Sequence, residues 1–279
     1  MRSYVFLLEC KDQRGIVAKT SGAIFHLGGN IISLDQYSTD PFGGHFFMRL
    51  EFTLSDNTLE KHALEKKFKP IADYFKGKIS LFDKKEPLAM GILVSKPEHC
   101  LSEILYLYKR KELNVKILLV VSNFLKHKEL VEQYKIPFYF LPATKNNRRE
   151  KELLQLVKET DFLVLARYML ILSPSFLKSY GKDIINIHHG FLPSFKGKNP
   201  YQQALEKGVK VIGATSHFVT KNLDEGPIIT QKVEEVSHKD NLKTLLLKGR
   251  NLETRALSDA LRAYIDHRVI RFKNKTVVF

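Results

Sequence analysis

The stretch that decides the fold is Ile184-Ile185-Asn186-Ile187-His188-His189-Gly190-Phe191-Leu192-Pro193-Ser194-Phe195. It begins as an apolar, β-branched run and ends in polar and turn-forming residues, which is typical of a buried strand that leads into a loop. Asn186 and His188 are two positions apart, so both side chains project from the same face of a strand. Open α/β sheets place their ligands at the carboxyl ends of their strands. The stretch therefore predicts a strand with a polar site at its end.

Apolar strands alternate with helical segments around this stretch. The predicted strands are residues 89–94, 115–121, 137–141, 162–166 and 184–188, and the predicted helices are 99–111, 126–134, 147–158, 174–180 and 199–207. Such alternation indicates a Rossmann-like, mostly parallel sheet with helices on both faces. Strands near 210–219 and 228–236, a long helix near 241–264 and a C-terminal hairpin follow.

The first 83 residues carry a different pattern. Strands are predicted at 3–9, 30–38, 45–54 and 78–82, and helices at 16–27 and 57–75, with a hairpin turn at Asp40-Pro41-Phe42-Gly43-Gly44. The order βαββαβ is that of a ferredoxin-like unit. The charged, proline-containing segment 83–87 is predicted to be a linker. We therefore predict an α/β protein of two domains, residues 1–83 and 88–279.

Composition narrows the class of protein. Of the 279 residues, 44% are hydrophobic, which is typical of a globular chain and excludes a disordered or fibrous one. Two cysteines far apart, Cys10 and Cys100, cannot form a disulfide framework or a four-sulfur zinc site, and they favour a reducing compartment. No apolar run approaches the roughly 20 residues of a membrane span, and no signal-peptide core is present. We expect a cytoplasmic protein.

The net charge of +15 raises the question of a polyanionic partner. Lysines are spread along the whole chain, and no segment interleaves arginine with aromatic residues as a nucleic-acid platform does. We therefore expect a generally basic surface without a nucleic-acid or membrane partner. Such a surface also attracts polyanionic small molecules.

Asp224 is the third candidate for a polar site. It lies in the turn-forming segment 222–227, and the predicted strand 213–219 comes between it and His188. From the residues alone three readings stay open: a catalytic amide, imidazole and carboxylate, a set of structural polar residues, or a metal site using His188, His189 and His217. The metal reading is weakened because neighbouring residues on a strand point to opposite faces.

The run from Ile185 to Phe195 resembles the signature of the folate-dependent formyltransferase fold, and residues 213–219 and 223–229 continue the likeness with matching spacing. The resemblance implies that Asn186, His188 and Asp224 are the catalytic trio. It also implies a folate pocket lined by residues of several segments. These are Arg167, Tyr168, Met169, Leu170, His189, Thr215, His217 and Leu223. His217 is either a pocket residue or a core histidine, and Arg167 and Lys198 are candidate partners of folate carboxylates.

Within that fold, the paired histidines followed by Phe-Leu-Pro are similar to the formyltetrahydrofolate deformylase family. Segments 12–18 and 46–49 resemble the ACT domain of that family, and segments 95–101 and 166–169 also match its pattern. The resemblance implies hydrolysis of 10-formyltetrahydrofolate with no cofactor, a homo-oligomer (dimer or tetramer) and an amino-acid effector at the ACT domain. Two positions depart from the family pattern: Gly190 replaces a usual serine, and Leu170 replaces a usual arginine.

The loop after the first strand of the second domain bears on the formyl acceptor. Backbone N–H groups cradle a phosphate only where glycines leave room, and here the loop reads Ser95-Lys96-Pro97, in which Pro97 has no N–H. This favours water over a phosphorylated amine. Formyl transfer to the amine of a nucleotide or of an aminoacyl-tRNA, and a catalytically inactive amino-acid sensor, remain the alternatives.

The implied chemistry assigns each trio member a task. Asn186 and His188 donate hydrogen bonds to the oxyanion or to the leaving N10, and Asp224 accepts the proton of the attacking water. An ordinary aspartate has a pKa of about 3.9, which is low for a base at neutral pH. We therefore expect partial burial beside Leu223 and Ile228 to raise the pKa of Asp224.

Overall fold

The computed structural model describes residues 2–40, 42–55, 60–194 and 200–279. Its residues group into two compact units. One unit runs to Pro87 and includes residues 267–270 and 277–279, and the other comprises residues 88–266 and 271–276. Pro41, Phe195 and Lys198, which the sequence singled out, lie outside the described residues.

The first unit has the predicted order βαββαβ. Its elements are β1 (Arg2–Lys11), α1 (Ile16–His26), β2 (Gly29–Ser38), β3 (His45–Leu54), α2 (Lys61–Phe75) and β4 (Lys78–Asp83). The strands form an antiparallel sheet in the order β2-β3-β1-β4. Tyr4, Phe6 and Leu8 are buried at every second position of β1, which is the period of a strand with one face in the core. Phe68 of α2 packs against Phe6 with the ring centroids 4.8 Å apart.

The second unit alternates strands and helices, as predicted. Its elements are β5 (Leu88–Val94), α3 (His99–Lys109), β6 (Val115–Ser122), α4 (Lys128–Glu132), β7 (Phe138–Phe140), α5 (Glu150–Val157), β8 (Phe162–Ala166), α6 (Pro174–Tyr180), β9 (Asp183–His188), α7 (Pro200–Glu206), β10 (Val211–Phe218), β11 (Ile228–Glu235) and α8 (Leu242–Ile265). The chain ends in a hairpin of β12 (Val269–Phe272) and β13 (Lys275–Val278).

The seven-stranded sheet of this unit has the order β11-β10-β9-β8-β5-β6-β7. Strands β5 to β9 are parallel to one another, while β10 is antiparallel to β9 and β11 is antiparallel to β10. The mostly parallel sheet is thus confirmed. The buried strands β5 and β8 read as continuous apolar runs because helices cover both faces of a parallel sheet.

Connectivity places a crevice beside β5. The chain leaves β5 for β6 on one side and later returns to β8 on the other, so the strand order reverses at β5. At such a switch point the loops after neighbouring strands diverge, and they leave a ligand crevice at the carboxyl ends. Ser95 follows β5, and Arg167 follows β8. The site is expected at this edge of the sheet.

Two helices differ from the sequence prediction in extent. The segment predicted as a helix at 126–134 is a 3-10 turn, Leu125–His127, followed by the short α4. The helix predicted from 147 begins at Glu150, because Arg149 adopts a left-handed backbone conformation with φ 49°. None of the helices in the described ranges combines the length and the apolar character that a bilayer crossing requires.

Candidate active site

Asn186 and His188 lie at the carboxyl end of β9 and line one cavity of about 450 Å³. The two-residue period of the strand directs both side chains to the same side. His188 is only 4% exposed, and its Nε2 is a buried atom that has no hydrogen-bond partner in the described part of the chain. An unpaired imidazole nitrogen in a cavity wall is available to a bound molecule.

His217 joins this pair through the sheet. Antiparallel pairing of β9 and β10 sets Asn186 opposite His217. His217 Nδ1 lies 2.9 Å from the carbonyl oxygen of Phe218, which can only accept, so Nδ1 carries the proton. Its Nε2 lies 3.2 Å from Asn186 Nδ2 and accepts from that amide. His217 therefore lines the cavity and orients the amide of Asn186, rather than packing as a histidine of the apolar core.

Asp224 reaches the cluster from the turn between β10 and β11. Its Oδ2 lies 3.2 Å from His188 Nδ1, and its Oδ1 lies 3.7 Å from His217 Nε2. The side chain is 12% exposed. One carboxylate thus faces two imidazoles, and the Nδ1–H of His188 donates to it. This orientation leaves His188 Nε2 directed away from Asp224.

The backbone of this turn depends on Gly226. Asp224 has a φ of 54°, a left-handed conformation that aspartate tolerates better than most residues. A Cβ on Gly226 would lie 1.7 Å from the carbonyl oxygen of Phe218, a contact that forces the backbone to move. Glycine is therefore required for the turn to hold Asp224 against the histidines.

We expect Gly226→Ala to displace this turn. The clash involves two backbone segments, so it cannot be relieved by a side-chain rotation, and a loss of about 1–3 kcal/mol in unfolding free energy is expected. Thermal denaturation and catalytic activity measure the two consequences. Gly22→Ala is the control, because Gly22, like Gly226, lacks a positive φ but has open space around its Cβ position. Equal effects of the two variants would show that the clash at Gly226 is not decisive.

The expected rise in the pKa of Asp224 is wrong. Burial of the carboxyl does act to raise the pKa, but the contacts of the carboxylate with His188 and His217 outweigh it. The net result holds the pKa of Asp224 well below its ordinary value. Leu223 and Ile228 are neighbours of Asp224 in the chain, whereas the groups that decide its pKa, His188 and His217, come from β9 and β10. Asp224 is therefore a carboxylate throughout the neutral range.

The other predicted pocket residues divide into two groups. Those that line the cavity are Arg167, Tyr168, Met169, Leu170, His189, His217 and Leu223. Thr215 is fully buried and does not line it. Its hydroxyl donates to the carbonyl of Gly190 at 2.9 Å and accepts from the N–H of Leu192 at 3.1 Å. Thr215 therefore holds the loop after β9.

Arg167 is paired within the protein. Its Nε lies 3.2 Å from Glu253 Oε2, and the arginine side chain is 12% exposed. This placement differs from the expectation of a guanidinium free for a folate carboxylate. Sequence reasoning instead missed three cations on the cavity wall, Lys145, Arg148 and Lys221. Their basic character was visible, but only the fold brings the loops after β7 and β10 to one rim.

One group of possible metal ligands occurs among the described residues. His99, Cys100 and Glu253 offer ligand atoms within 4.8 Å of one another. The Arg167 guanidinium occupies the neighbourhood of the Glu253 carboxylate, and it disfavours a metal cation there. The histidines that the sequence suggested as metal ligands, His188 and His217, instead share Asp224.

The chain is similar to known proteins over most of its length. The formyl transferase family matches residues 89–261. The formyltetrahydrofolate deformylase of Bacillus subtilis is 45% identical over 98% of this chain and 92% of its own length. The crystal structure of a deformylase of the same name from Pseudomonas syringae superposes with a TM-score of 0.95, at 38% identity, over 100% of this chain and 95% of that one.

A more distant structure covers a smaller share of the chain. The glycinamide ribonucleotide transformylase 1 of Symbiobacterium toebii has a TM-score of 0.66 and 26% identity, and the match covers 72% of this chain and 98% of that one. The deformylase matches, by contrast, extend over nearly all of this chain, including the βαββαβ unit. The chain therefore belongs to the formyl transferase family and, within it, to the formyltetrahydrofolate deformylases.

Proposed function

We propose that the protein hydrolyses 10-formyltetrahydrofolate to tetrahydrofolate and formate. The observation that carries the proposal is the convergence of Asn186, His188 and Asp224 at the wall of one cavity, in a chain that belongs to the deformylases. The formate would supply purine biosynthesis, and the reaction would balance the one-carbon folate pool. Folate is the substrate, and no cofactor is required by the chemistry.

The roles of the three groups follow from their contacts. Attack of water on the formyl carbon produces an oxyanion, and the amide N–H of Asn186 that is not bound to His217 donates to it. His188 Nε2 accepts a proton from the water and returns it to N10, which then leaves as the amine of tetrahydrofolate. Asp224 holds the His188 ring by its Nδ1–H, and its charge stabilises the imidazolium that forms in between.

Water as the acceptor is supported by the loop after β5. The N–H of Ser95 donates to the carbonyl of Arg167 at 3.3 Å, and the carbonyl of Ser95 lies 2.7 Å from His127 Nε2. Pro97 has no N–H. The backbone at the start of this loop is thus committed to internal contacts, which leaves it unsuited to a phosphate cradle.

A formate-release assay with no added acceptor tests the proposal. We expect equal amounts of formate and tetrahydrofolate from 10-formyltetrahydrofolate. Formyl transfer to an amine would release tetrahydrofolate only after that amine is added, and it would release no formate, because the formyl group ends on the amine. An amino-acid sensor without activity would release neither product with or without an amine.

The N-terminal unit supports a proposal of assembly and regulation. β2 is an edge strand of its sheet, and its Ile32 and Tyr37 are 54% and 50% exposed. Unpaired edges with apolar side chains pair readily with another chain. We therefore propose a homo-oligomer formed at this edge. An amino-acid effector would bind in the cavity of about 470 Å³ between segment 12–18 and β2.

Ile32→Lys is expected to reduce the size of the assembly, because a charge on an edge strand opposes edge-to-edge pairing. Sedimentation velocity of the full chain measures the change. Lys69→Ala, on the exposed side of α2, is the control and should sediment like the wild type. A wild-type chain that sediments as a monomer would contradict the proposal.

A further inference from the structure

A second cavity, of about 830 Å³, adjoins the active site. It shares three wall residues, Arg167, Met169 and His189, with the cavity of about 450 Å³ to which the proposed function assigns the folate. The remainder of its wall comes from the loop after β5, from the 3-10 turn after β6 and from α3, α7 and α8. The hydrolytic chemistry of Asn186, His188 and Asp224 takes place on the other side of this shared wall, and it leaves the second cavity without an assigned occupant.

The shared wall is built around one buried carboxylate. The Glu253 side chain is 3% exposed, and it lies 2.8 Å from His99 Nε2 and 3.2 Å from Arg167 Nε. The Tyr201 hydroxyl donates to its other oxygen at 3.0 Å. Gly249, one turn earlier on α8, makes room for the Tyr201 ring, since a Cβ there would lie 2.1 Å from Tyr201 Cζ. His99 of α3, Tyr201 of α7 and Arg167 of the loop after β8 are thus tied to α8 through one carboxylate.

Three exposed cations line the second cavity. Lys96, Lys126 and Arg250 line it, and only Lys126 has a carboxylate partner, Glu98 at 3.4 Å. Lys96 Nζ lies over the Phe124 ring at 5.0 Å, and neither Lys96 nor Arg250 makes an ion pair in the described ranges. Glu253 balances the charge of Arg167, and Glu98 balances that of Lys126. The remaining cations, Lys96 and Arg250, therefore give the cavity a net positive charge. A small anion is the ligand class that fits.

His189 contributes a neutral boundary between the cavities. Burial, followed by the positive charge of Arg167, lowers its pKa to about 3. A neutral imidazole provides a hydrogen-bond donor and an acceptor without forming an ion pair that would retain an anion. Its ring packs against the Tyr201 ring with the centroids 6.2 Å apart, so Tyr201, which donates to Glu253, also positions His189.

We propose that the second cavity binds formate and is the route by which this product leaves while tetrahydrofolate is still bound. The proposal rests on the hydrolysis proposed above. In that reaction the water oxygen bonds to the formyl carbon, the bond from carbon to N10 breaks, and N10 takes one proton. The formic acid produced loses its remaining acidic proton at neutral pH and becomes a monocarboxylate. While the folate fills the first cavity, its carboxylates face the cations on that wall, and the unpaired cations of the second cavity remain available to formate.

Product inhibition of the full-length enzyme tests this route. Sodium formate is added at matched ionic strength with sodium chloride, and the 10-formyltetrahydrofolate concentration is varied. Formate is expected to be a noncompetitive inhibitor, because it leaves before tetrahydrofolate. The double variant Lys96→Ala/Arg250→Ala is expected to raise the inhibition constant for formate at least fivefold, with the KM for folate changed less than twofold. Lys243→Ala, which removes an exposed cation of α8 outside the cavity, is the control and should leave the inhibition constant unchanged.

Two results would overturn the proposal: inhibition by formate that is competitive with the folate substrate, or the same inhibition constant in the double variant and the wild type. A direct titration with ¹³C-formate, followed by NMR in the absence of substrate, measures binding independently of turnover. If the wild type releases no formate from 10-formyltetrahydrofolate, the proposed hydrolysis fails. In that case weaker ¹³C-formate binding by the double variant would still support an anion site, and unchanged binding would reject it.

Discussion

Asp224→Asn is expected to lower kcat by at least about 10²-fold while tetrahydrofolate binding is largely retained. The substitution is nearly isosteric, so the turn that ends in Gly226 is preserved. It removes the charge that faces His188 Nδ1 at 3.2 Å and that stabilises the imidazolium formed during proton transfer. In a comparable aspartate–histidine pair the same change costs about 10⁴-fold in kcat. Steady-state kinetics and titration calorimetry with tetrahydrofolate separate the two effects.

Glu225→Gln is the matched control for this experiment. Glu225 is the next residue in the same turn, is exposed and accepts a hydrogen bond from Asn222 Nδ2 at 3.2 Å. Its substitution removes a charge from the same loop, and kcat is expected to change less than about twofold. A loss below tenfold in Asp224→Asn would correspond to less than about 1.4 kcal/mol of transition-state stabilisation, and it would exclude Asp224 from the proton-transfer machinery.

His188→Ala is expected to lower kcat by about 10²–10⁴-fold, the usual contribution of a general acid–base residue. Asn186→Ala is expected to cost about 10²–10³-fold, the usual worth of one oxyanion donor. Both residues lie on the same face of β9 and line the cavity of about 450 Å³. Because the unpaired Nε2 of His188 is the proposed proton carrier, its loss should also alter the pH profile of kcat, which a purely structural residue would not do.

His189→Ala is the control for this pair. The His189 ring lies 5.2 Å from the His188 ring, between centroids, and makes no hydrogen bond to Asp224 within the described ranges. It faces both cavities, so its substitution is expected to change inhibition by formate and to lower kcat less than tenfold. A loss of kcat equal to that of His188→Ala would mean that His189 touches the reacting atoms.

Most of the secondary structure could be predicted because it depends on local patterns. Apolar residues that repeat every second position in β1, or continuously in β5 and β8, reflect the burial of one or both strand faces. The segments that differed were α4, which is shorter than predicted, and α5, which starts later. Both are surface helices of few residues, in which tertiary contacts outweigh local propensity.

The sequence by itself determined that Asn186 and His188 share a face of one strand and that Asp224 lies in a glycine-containing turn, because strand period and turn chemistry are local properties. Only the tertiary structure decided that His217 stands opposite Asn186, since this follows from the pairing register of β9 and β10. The pKa of Asp224 and the ion pair of Arg167 with Glu253 were decided in the same way. Each depends on charges brought close by folding from distant parts of the chain, and the strength of a charge interaction is set by distance in space and by burial.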